Sequence, residues 1–415
     1  MDNVEKYRLK RSQFYNNMDD FWPDLYEKEY SLYGTYSIAH SEVLEINRIT
    51  ARIGQIFSKM ASNLRAADDA TLRALGIPVE SFSVIRMNSI GIDSVIARLD
   101  LVKTADGYKL LEINSDTPTF IVECFRVNQL VCDHFNLENP NQSTEADLAQ
   151  ALRRGIIESA KSIGSKYPHV VFTAHAENIE DWNTVSYLKE ISQFQSSLCS
   201  LDKLVISEDG LYDDTGSRID VLYRQTYPLE HLVQDIDPES GGNIGIELLN
   251  LVKNKKLAII NPPSAFLLQS KALQALIWGI YESEAGTKIF TTEELAWIGS
   301  YMLPTYLEAD PFLNGRAYIR KPSFGREGDT IEIFDKHGTS QYKEALQTYD
   351  MELPVYQELA DLPQAEIMTE QGREKLQLLI GSFLICGRAS AIGIRAGKGV
   401  INNESYFLPV SLKHK

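Results

Sequence analysis

The chain has 415 residues, 44% of them hydrophobic and 24% charged, which is typical of globular proteins and excludes disordered and collagen-like classes. At this length a single hydrophobic core stops growing, so we expect two or three lobes and an active site in a cleft between them. The formal net charge of −16, with no long basic run, argues against nucleic-acid binding; it suits a cationic substrate or a divalent metal, although a solvated acidic surface is the commoner cause.

The sequence predicts a cytoplasmic protein without a membrane partner. Residues 1–21 alternate charged and aromatic side chains and lack the apolar segment of a secretory signal. The longest apolar runs, residues 257–260 and 378–385, are far shorter than the roughly 20 residues of a membrane-spanning helix. The cysteines form no CxxC pair and lie in apolar segments, which is typical of reduced, buried thiols rather than disulfides or zinc ligands; they are Cys124, Cys132, Cys199 and Cys386.

The first third of the chain predicts a helical scaffold followed by a β-hairpin. Between Asp19 and Arg65, isoleucines recur at three- and four-residue steps and lie on one helix face; they are Ile46, Ile49, Ile53 and Ile56. Residues 94–101 and 107–113 read as strands joined by a turn at residues 104–107. A helix is expected over residues 145–162.

The middle of the chain alternates short apolar strands with helices, as in a small open α/β layer. The expected elements are a strand at 170–173, a helix over about 182–192, and strands near 203–206 and 219–223. A Gly-rich passage at residues 240–243 precedes a strand at 257–260 that runs into two prolines.

The last third predicts an antiparallel sheet. After a helix over about 270–281, strands at 317–322 and 330–334 flank a loop with Gly325 and Gly328, which we interpret as a flexible flap. Further strands are expected at 353–359, 377–386 and 391–395. The resulting fold class is α/β, divided into an N-terminal region 1–165 with the helical scaffold and the hairpin, a middle α/β lobe 166–260, and a C-terminal region 261–415, all in one integrated unit.

Polar side chains occupy alternate positions of the predicted hairpin, and alternate residues of a strand share a face. If the register sets the two strands alongside, Asp100, Glu112 and Asn114 converge as oxygen ligands suited to magnesium. Arg98, on the same face, would neutralise charge on a transferred phosphoryl group. The alternative is that these are polar residues on the solvent side of a half-buried hairpin, with residues 116–118 as a turn.

A second group of residues has the character of a phosphate site. Lys321 ends a strand beside the Gly325/Gly328 loop, and such a loop presents a cation and backbone amides to a polyphosphate. GxxG loops are also common in ordinary hairpins. Neither a P-loop motif nor a GxGxxG motif after a strand occurs in the chain.

Four more residues have a functional and an ordinary interpretation. Lys271 opens a helix and is either a phosphate ligand or a solvated helix residue, and Arg395 either reaches phosphate or pairs with a surface carboxylate. Glu180 and Asp181 lie at a strand-to-helix junction, where acids commonly cap a helix. The histidines show neither metal-ligand spacing nor a serine partner, so a nucleophilic triad is weakly supported.

Taken in order, these motifs resemble the synthetase half of glutathionylspermidine synthetase and its stand-alone bacterial relatives. The resemblance covers most of the chain, and the steps from Asp100 to Glu112 to Asn114 make it specific. Its carriers are Arg98-Leu99-Asp100, the stretch from Leu111 to Thr119, Glu180-Asp181, Tyr227-Pro228-Leu229-Glu230, Gln269-Ser270-Lys271, Arg320-Lys321-Pro322, Gly325-Arg326-Glu327-Gly328, Tyr356-Gln357 and Gly393-Ile394-Arg395.

This resemblance implies an ATP-grasp fold and amide-bond formation that uses ATP and Mg²⁺ through an acyl phosphate. Asp100, Glu112 and Asn114 match the family's magnesium ligands, while Arg98 and Arg395 match its arginines at the phosphate and the acyl phosphate. The expected nucleotide-binding residues are Lys271, Lys321, Gly325, Arg326, Gly328 and Gln357. The expected substrate residues are Asp116, Thr117 and Thr119 for the acid, and Glu180 and Asp181 for the amine.

Two departures bear on the substrates. The chain begins directly with helical scaffold, without the amidase domain that some family members carry, so hydrolysis of the product is not expected. Thr117 and Thr119 stand where the family often has serines, which leaves both substrates open.

Three functions follow from these residues. The first is a ligase that joins a peptide-like, glutathione-like carboxylate to a polyamine-like amine, both small molecules. The second is a nucleotide-binding module of the same fold without turnover, and the third, much weaker, is a hydrolase using Glu180 and Asp181. The oligomeric state is not determined by the sequence.

Overall fold

The computed structural model describes residues 3–225, 228–238 and 240–413, so Tyr227 of the motif above lies outside the described residues. In chain order the helices are α1 (Asn3–Tyr15), α2 (His40–Arg65), α3 (Asp69–Ala74), α4 (Phe82–Ile85), α5 (Asn128–Phe135), α6 (Thr144–Ser162), α7 (Ile179–Ser192), α8 (Leu229–Leu232), α9 (Ile244–Lys253), α10 (Phe266–Gln269), α11 (Lys271–Glu282), α12 (Gly286–Ile289) and α13 (Thr292–Tyr301). A π-helical turn, Glu123–Val127, leads into α5.

The first strands along the chain are β1 (Asp24–Leu25), β2 (Lys28–Glu29), β3 (Tyr36–Ile38), β4 (Ile96–Thr104), β5 (Gly107–Asn114), β6 (Val170–Ala174), β7 (Ser196–Ser200), β8 (Val205–Ser207), β9 (Gly210–Tyr212), β10 (Arg218–Ile219), β11 (Val221–Arg224) and β12 (Ala258–Ile260). The later ones are β13 (Thr305–Tyr306), β14 (Tyr318–Pro322), β15 (Glu332–Phe334), β16 (Ser340–Lys343), β17 (Pro354–Glu358), β18 (Gln364–Thr369), β19 (Gly372–Ile385), β20 (Arg388–Gly397), β21 (Tyr406–Leu408) and β22 (Val410–Leu412).

Helix α2 carries the predicted isoleucine face, and all four isoleucines are fully buried; they are Ile46, Ile49, Ile53 and Ile56. The prediction that this helix begins near Asp19 is wrong, because α2 begins at His40. Residues 24–29 instead form the small hairpin β1–β2, whose turn holds Tyr26 and Glu27 at φ of 51° and 60°. Left-handed backbone of this kind is incompatible with a continuous helix.

The predicted hairpin is confirmed as β4–β5 and lies inside the largest sheet. That sheet has the strand order β21-β20-β19-β4-β5, with β18 paired to β19, and its pairs are antiparallel. It therefore combines strands from the first and last thirds of the chain. Residues of β4 are placed beside those of β19, as Asp100 is beside Gly381, even though about 280 residues separate them in sequence.

A parallel sheet of order β12-β11-β6-β7 makes the middle of the protein, with α6 and α7 packed beside it. The strand expected near residues 203–206 is β8, which pairs instead with β9 in a separate antiparallel sheet. The edge position is taken by β7, which was not predicted because its sequence Ser-Ser-Leu-Cys-Ser lacks an apolar alternation. The third layer is the antiparallel sheet β13-β17-β14-β15-β16, which carries the expected strand–loop–strand unit.

Three of the cysteines are buried free thiols, as expected, whereas Cys386 is a free thiol that is partly exposed. Among the described helices, none combines the length and the apolar character that a membrane span requires.

Asn261, directly after β12, ties the parallel sheet to the hairpin. Its buried side chain accepts hydrogen bonds from the backbone N–H groups of Val95 (2.8 Å) and Ile96 (3.1 Å). It donates to the carbonyls of Ile96 (3.0 Å) and Asp116 (2.8 Å). One amide thus satisfies four backbone groups where two sheets meet.

Asn261→Ala should lower the free energy of unfolding by about 3 kcal/mol, because it leaves buried backbone groups without partners. Chemical denaturation monitored by circular dichroism measures this. Asn250→Ala, at an exposed position of α9, is the control and should change stability by no more than about 0.5 kcal/mol. Equal stabilities of the two variants would contradict the bridging role of Asn261.

Candidate active site

One cavity lies where the hairpin, the first turn of α7, the strand β20 and the strand–loop–strand unit meet. Asp100, Lys321 and Arg395, which come from distant parts of the sequence, all line it. The predicted site residues in its wall are Arg98, Asp100, Glu112, Asn114, Thr117, Thr119, Glu180, Lys271, Lys321, Gly325, Arg326, Gly328 and Arg395. Asp116, Asp181 and Gln357 are not in its lining.

The register of β4 and β5 sets Asp100 opposite Glu112 and Arg98 opposite Asn114. The Asn114 amide nitrogen lies 3.5 Å from Asp100 Oδ2 and 3.4 Å from Glu112 Oε1, so three oxygen-bearing side chains converge. A half-turn of the Asn114 amide would present its oxygen instead.

These residues fit magnesium. Within the described ranges no three His, Cys, Asp or Glu side chains form a metal-binding group, so the donor set here is two carboxylates and one amide. Mg²⁺ is typically held by one or two carboxylates and completes its coordination with phosphate oxygens and water, whereas a dedicated protein cage is uncommon.

Arg98 makes a two-point ion pair with Asp100, with Nε 2.7 Å from Oδ1 and Nη2 3.1 Å from Oδ2. Its Nη1 donates to the Thr119 carbonyl oxygen at 3.0 Å. Burial lowers the pKa of Arg98, but the charge of Asp100 outweighs it and the pKa lies above its usual value. Arg98 therefore stays charged, orients Asp100 and fixes the loop that follows β5.

Two lysines face Glu112 across the cavity. Lys271 Nζ lies 3.2 Å from Glu112 Oε2 and donates to the Gly325 carbonyl oxygen at 2.7 Å. Burial lowers the pKa of Lys321 to about 8. Burial would raise the pKa of Glu112, yet the charges of Lys271 and Lys321 hold it at about 2. The carboxylate of Glu112 is therefore ionised, and the two lysines place positive charge beside it.

Gln357 supports the site from behind. Its Oε1 accepts from Lys321 Nζ at 2.9 Å, and its Nε2 donates to Gln274 Oε1 at 3.1 Å. Because Gln357 is buried and absent from the cavity lining, it positions the lysine in this structure.

The loop between β14 and β15 is tethered over the cavity. The Lys271 backbone N–H donates to the Ser323 carbonyl at 2.9 Å, and Arg326 Nε lies 2.9 Å from Oε1 of the buried Glu230. Gly328 has a φ of 76°, as a permissive hinge requires. Gly325 has no positive φ, so it does not need the conformational freedom of glycine. A Cβ at this position would lie 2.1 Å from the Pro322 ring, so glycine is required there because a side chain would not fit.

The other end of the cavity is acidic. Glu180, in the first turn of α7, lines it, whereas the helix cap is Asn178, whose side chain accepts from the Asp181 N–H at 3.1 Å. Burial, with the nearby charges of Glu123 and Asp181, raises the pKa of Glu180 to about 8. Thr117 and Thr119, in the loop that follows β5, also line the cavity.

Asp116 has a different environment from the one expected. Its buried carboxylate pairs with Arg224 at the end of β11 and accepts from the Leu229 N–H at 2.8 Å. It joins the hairpin loop to the parallel sheet and to the start of α8. The contact of Asp116 with a substrate stays a prediction.

Several wall residues were missed by the sequence analysis. Leu25 and Tyr30 come from the N-terminal hairpin, and the segment from Gly399 to Asn403 adds another edge. Apolar residues at alternate positions of the predicted strands around the loop could have indicated this wall, because alternate residues of a strand share a face. The apolar wall comprises Leu111, Ile319, Ile331, Ile333, Leu359, Leu362 and Leu379.

Glu180→Gln should stabilise the protein at alkaline pH. A carboxyl whose pKa is raised on folding loses stability as the pH rises from its unfolded pKa to its folded pKa, here from 4.5 to about 8. The variant should therefore exceed the wild type by about 4 kcal/mol at pH 8.5, with the gain falling below about 1 kcal/mol near pH 5. Denaturation across this pH range measures it. The exposed neighbour Glu177, changed to Gln, should show no such pH dependence.

Comparison with known proteins gives three findings. Residues 5–413 match the family model described as glutathionylspermidine synthase preATP-grasp. A protein of Haemophilus influenzae with the provisional name acid–amine ligase is 22% identical over 326 residues, covering 75% of this chain and 73% of that protein. The apo structure of a glutathione synthetase-like effector from Globodera pallida has a TM-score of 0.63 at 11% identity and covers 100% of this chain and 98% of that one. At this identity a solved structure shows the fold alone, and the expected α/β fold of the ATP-grasp kind is confirmed.

Proposed function

Because the chain belongs to the glutathionylspermidine synthase preATP-grasp family, we propose that it is a carbon–nitrogen ligase that uses ATP and magnesium to join a peptide-like carboxylate to an amine. The observation that carries the proposal is the meeting of Asp100, Lys321 and Arg395 in one cavity. That cavity has a basic end suited to phosphates and an acidic end suited to an amine. The Haemophilus relative with the name acid–amine ligase supports the same reaction class.

A carboxylate at neutral pH resists attack by an amine, so it is first phosphorylated. Its oxygen attacks the γ-phosphorus of ATP, the bond to the β-phosphate oxygen breaks, and ADP leaves. Lys271 and Lys321 bind the nucleotide phosphates, while Arg98 and Arg395 face the charge that spreads over the transferred group. No protein nucleophile is needed.

Asp100, Glu112 and Asn114 are the residues that would hold magnesium, which when bound supplies charge neutralisation at the phosphate oxygens. Arg98 keeps the carboxylate of Asp100 in place through its two-point contact. Lys271 does the same for Glu112 and also contacts the loop over the cavity.

The acyl phosphate must be shielded from water. The loop at residues 323–329 lies over the cavity and is fastened by Lys271 and Arg326. It exchanges these tethers for phosphate contacts when nucleotide enters, and it excludes water while the intermediate persists.

The amine then attacks the acyl carbon. The new C–N bond forms, the bond from carbon to the phosphate oxygen breaks, and the departing phosphate takes the proton that the attacking nitrogen loses. An amine arrives as an ammonium ion, and Glu180 is placed to accept the first proton and free the lone pair. Thr117 and Thr119 offer hydroxyl groups to the acid.

A coupled assay tests the reaction. The purified chain with magnesium and ATP is offered glutathione and other short peptides together with polyamines and simpler amines, and the release of ADP and phosphate is followed. The proposal expects release that requires both an acid and an amine and that stops when magnesium is chelated. Nucleotide binding without turnover for every pair would instead favour a binding module.

Arg98 and Lys321 should have separable effects. Lys321→Ala should raise the dissociation constant for magnesium-ATP about tenfold, because the lysine contacts the bound nucleotide. Arg98→Lys retains the charge beside Asp100 but loses the two-point contact, so kcat should fall about a hundredfold with ATP affinity kept within about threefold. Calorimetry and steady-state kinetics measure the two. An equal loss of ATP affinity in both variants would refute this division.

Lys321 should also make ATP binding depend on pH. Burial lowers the pKa of Lys321 to about 8, and phosphates favour the protonated form, so binding takes up a proton. Affinity should fall about fivefold between pH 7.5 and 9. Calorimetry in buffers of different ionisation enthalpy measures the uptake, and Lys321→Arg, which stays charged, should abolish it. Uptake that persists in that variant would assign the proton to another group.

A further inference from the structure

Glu123 is a buried carboxylate that the reaction above does not use. It lies in the π-helical turn that precedes α5 and is 0% exposed. Tyr30 donates a hydrogen bond to its Oε1 at 2.5 Å. Its Oε2 is buried and has no hydrogen-bond partner among the described residues. A half-satisfied buried carboxylate is costly, so its retention calls for a reason.

In a comparable tyrosine–glutamate pair elsewhere in the chain, a nearby cation compensates the charge of the carboxylate. Tyr7 donates to Glu29 at 2.7 Å, and Arg11 provides a cation 3.4 Å from that carboxylate. Within the described part of the chain, no basic side chain lies within ion-pair distance of Glu123. A glutamine would accept the Tyr30 hydrogen bond equally well, and therefore anchoring Tyr30 does not require the charge.

The position of the Tyr30–Glu123 pair indicates the role of the Glu123 charge. Tyr30 lines the same cavity as Glu180, and among charged groups Glu123 contributes most to the raised pKa of Glu180. The tyrosine thus lies between the buried carboxylate and the acidic end of the cavity. The charged and titratable groups facing the two carboxylates are Tyr26, Tyr30, Arg98, Cys124, Asp181, Glu327 and Arg395.

We propose that Glu123 is a positioning residue for the amine half of the reaction, an inference that rests on the proposed function. Held by Tyr30, its charge makes Glu180 a stronger proton acceptor and attracts an ammonium group to that end of the cavity. The ammonium proton moves to the Glu180 carboxylate, which becomes a carboxylic acid, and the neutral amine keeps its lone pair for the acyl carbon. Burial raises the pKa of Glu123 against the charges of Arg98 and Arg395, neither of which forms an ion pair with it, and the cationic substrate adds further positive charge beside it.

Glu123→Gln isolates this role, because it keeps an acceptor for Tyr30 and removes only the charge. In calorimetry at pH 7.5 with 1,4-diaminobutane as the probe, the variant should bind about tenfold more weakly, whereas magnesium-ATP should bind as in the wild type. Wild-type diamine binding in E123Q, or no diamine binding by the wild type, would overturn the proposal.

The pH dependence of kcat/KM distinguishes this role of Glu123 from a merely structural one. Without the neighbouring negative charge Glu180 ionises at lower pH, so the acidic limb of kcat/KM for the amine should shift down by about 0.5 to 1 pH unit. The KM for the amine should rise and that for ATP should stay the same. An unshifted limb with wild-type amine KM would contradict the role of Glu123.

Two more variants keep the test decisive. Tyr30→Phe removes the hydrogen bond that favours ionised Glu123, so it should shift the limb in the same direction even if E123Q fails to fold. Glu42→Gln is the matched control, since Tyr108 donates to Glu42 at 3.2 Å in a pair outside the cavity lining, and it should leave both readouts unchanged. Diamine binding that depends on Glu123 without any ADP release would contradict the ligase and leave the binding role standing.

Discussion

The antiparallel register of β4 and β5 is the constraint on which the rest of the cavity depends. It sets Asp100 opposite Glu112 and Arg98 opposite Asn114, so that two carboxylates, an amide and a guanidinium share one small volume. Because side chains alternate between the faces of a strand, a slip of one residue would move all four away from the cavity. The pairing of β4 with β19 on its other side, Asp100 opposite Gly381, holds that register from within the sheet.

These charges are stable together because each is compensated. Arg98 neutralises Asp100, and Lys271 and Lys321 neutralise Glu112, in an environment where an unpaired charge would be costly. The lysines in turn have more donors than the protein satisfies. An anionic ligand that brings its own metal ion adds both negative and positive charge to such a site and preserves this balance.

The middle of the protein determines where the acidic end lies. Asp116 with Arg224, the side chain of Asn261, and Arg326 with Glu230 connect the parallel sheet to the hairpin and to the loop over the cavity. Helix α7 packs against β6 of the parallel sheet, and its first turn places Glu180 in the cavity lining. Basic and acidic side chains therefore line one cavity although they come from different parts of the fold.

The sequence by itself determined the hairpin and the isoleucine face of α2, since these follow from local periodicity, whereas the residues predicted for the basic end came from the resemblance to a family. It did not determine the fold of residues 19–39, where left-handed positions in a small hairpin override an apparently helical pattern. Only the tertiary structure placed Asp116 outside the cavity lining and brought Tyr30 and Glu123 to the acidic end. The physical reason is that strand pairing and buried hydrogen bonds join residues hundreds of positions apart, and such long-range contacts leave no periodic trace in the chain.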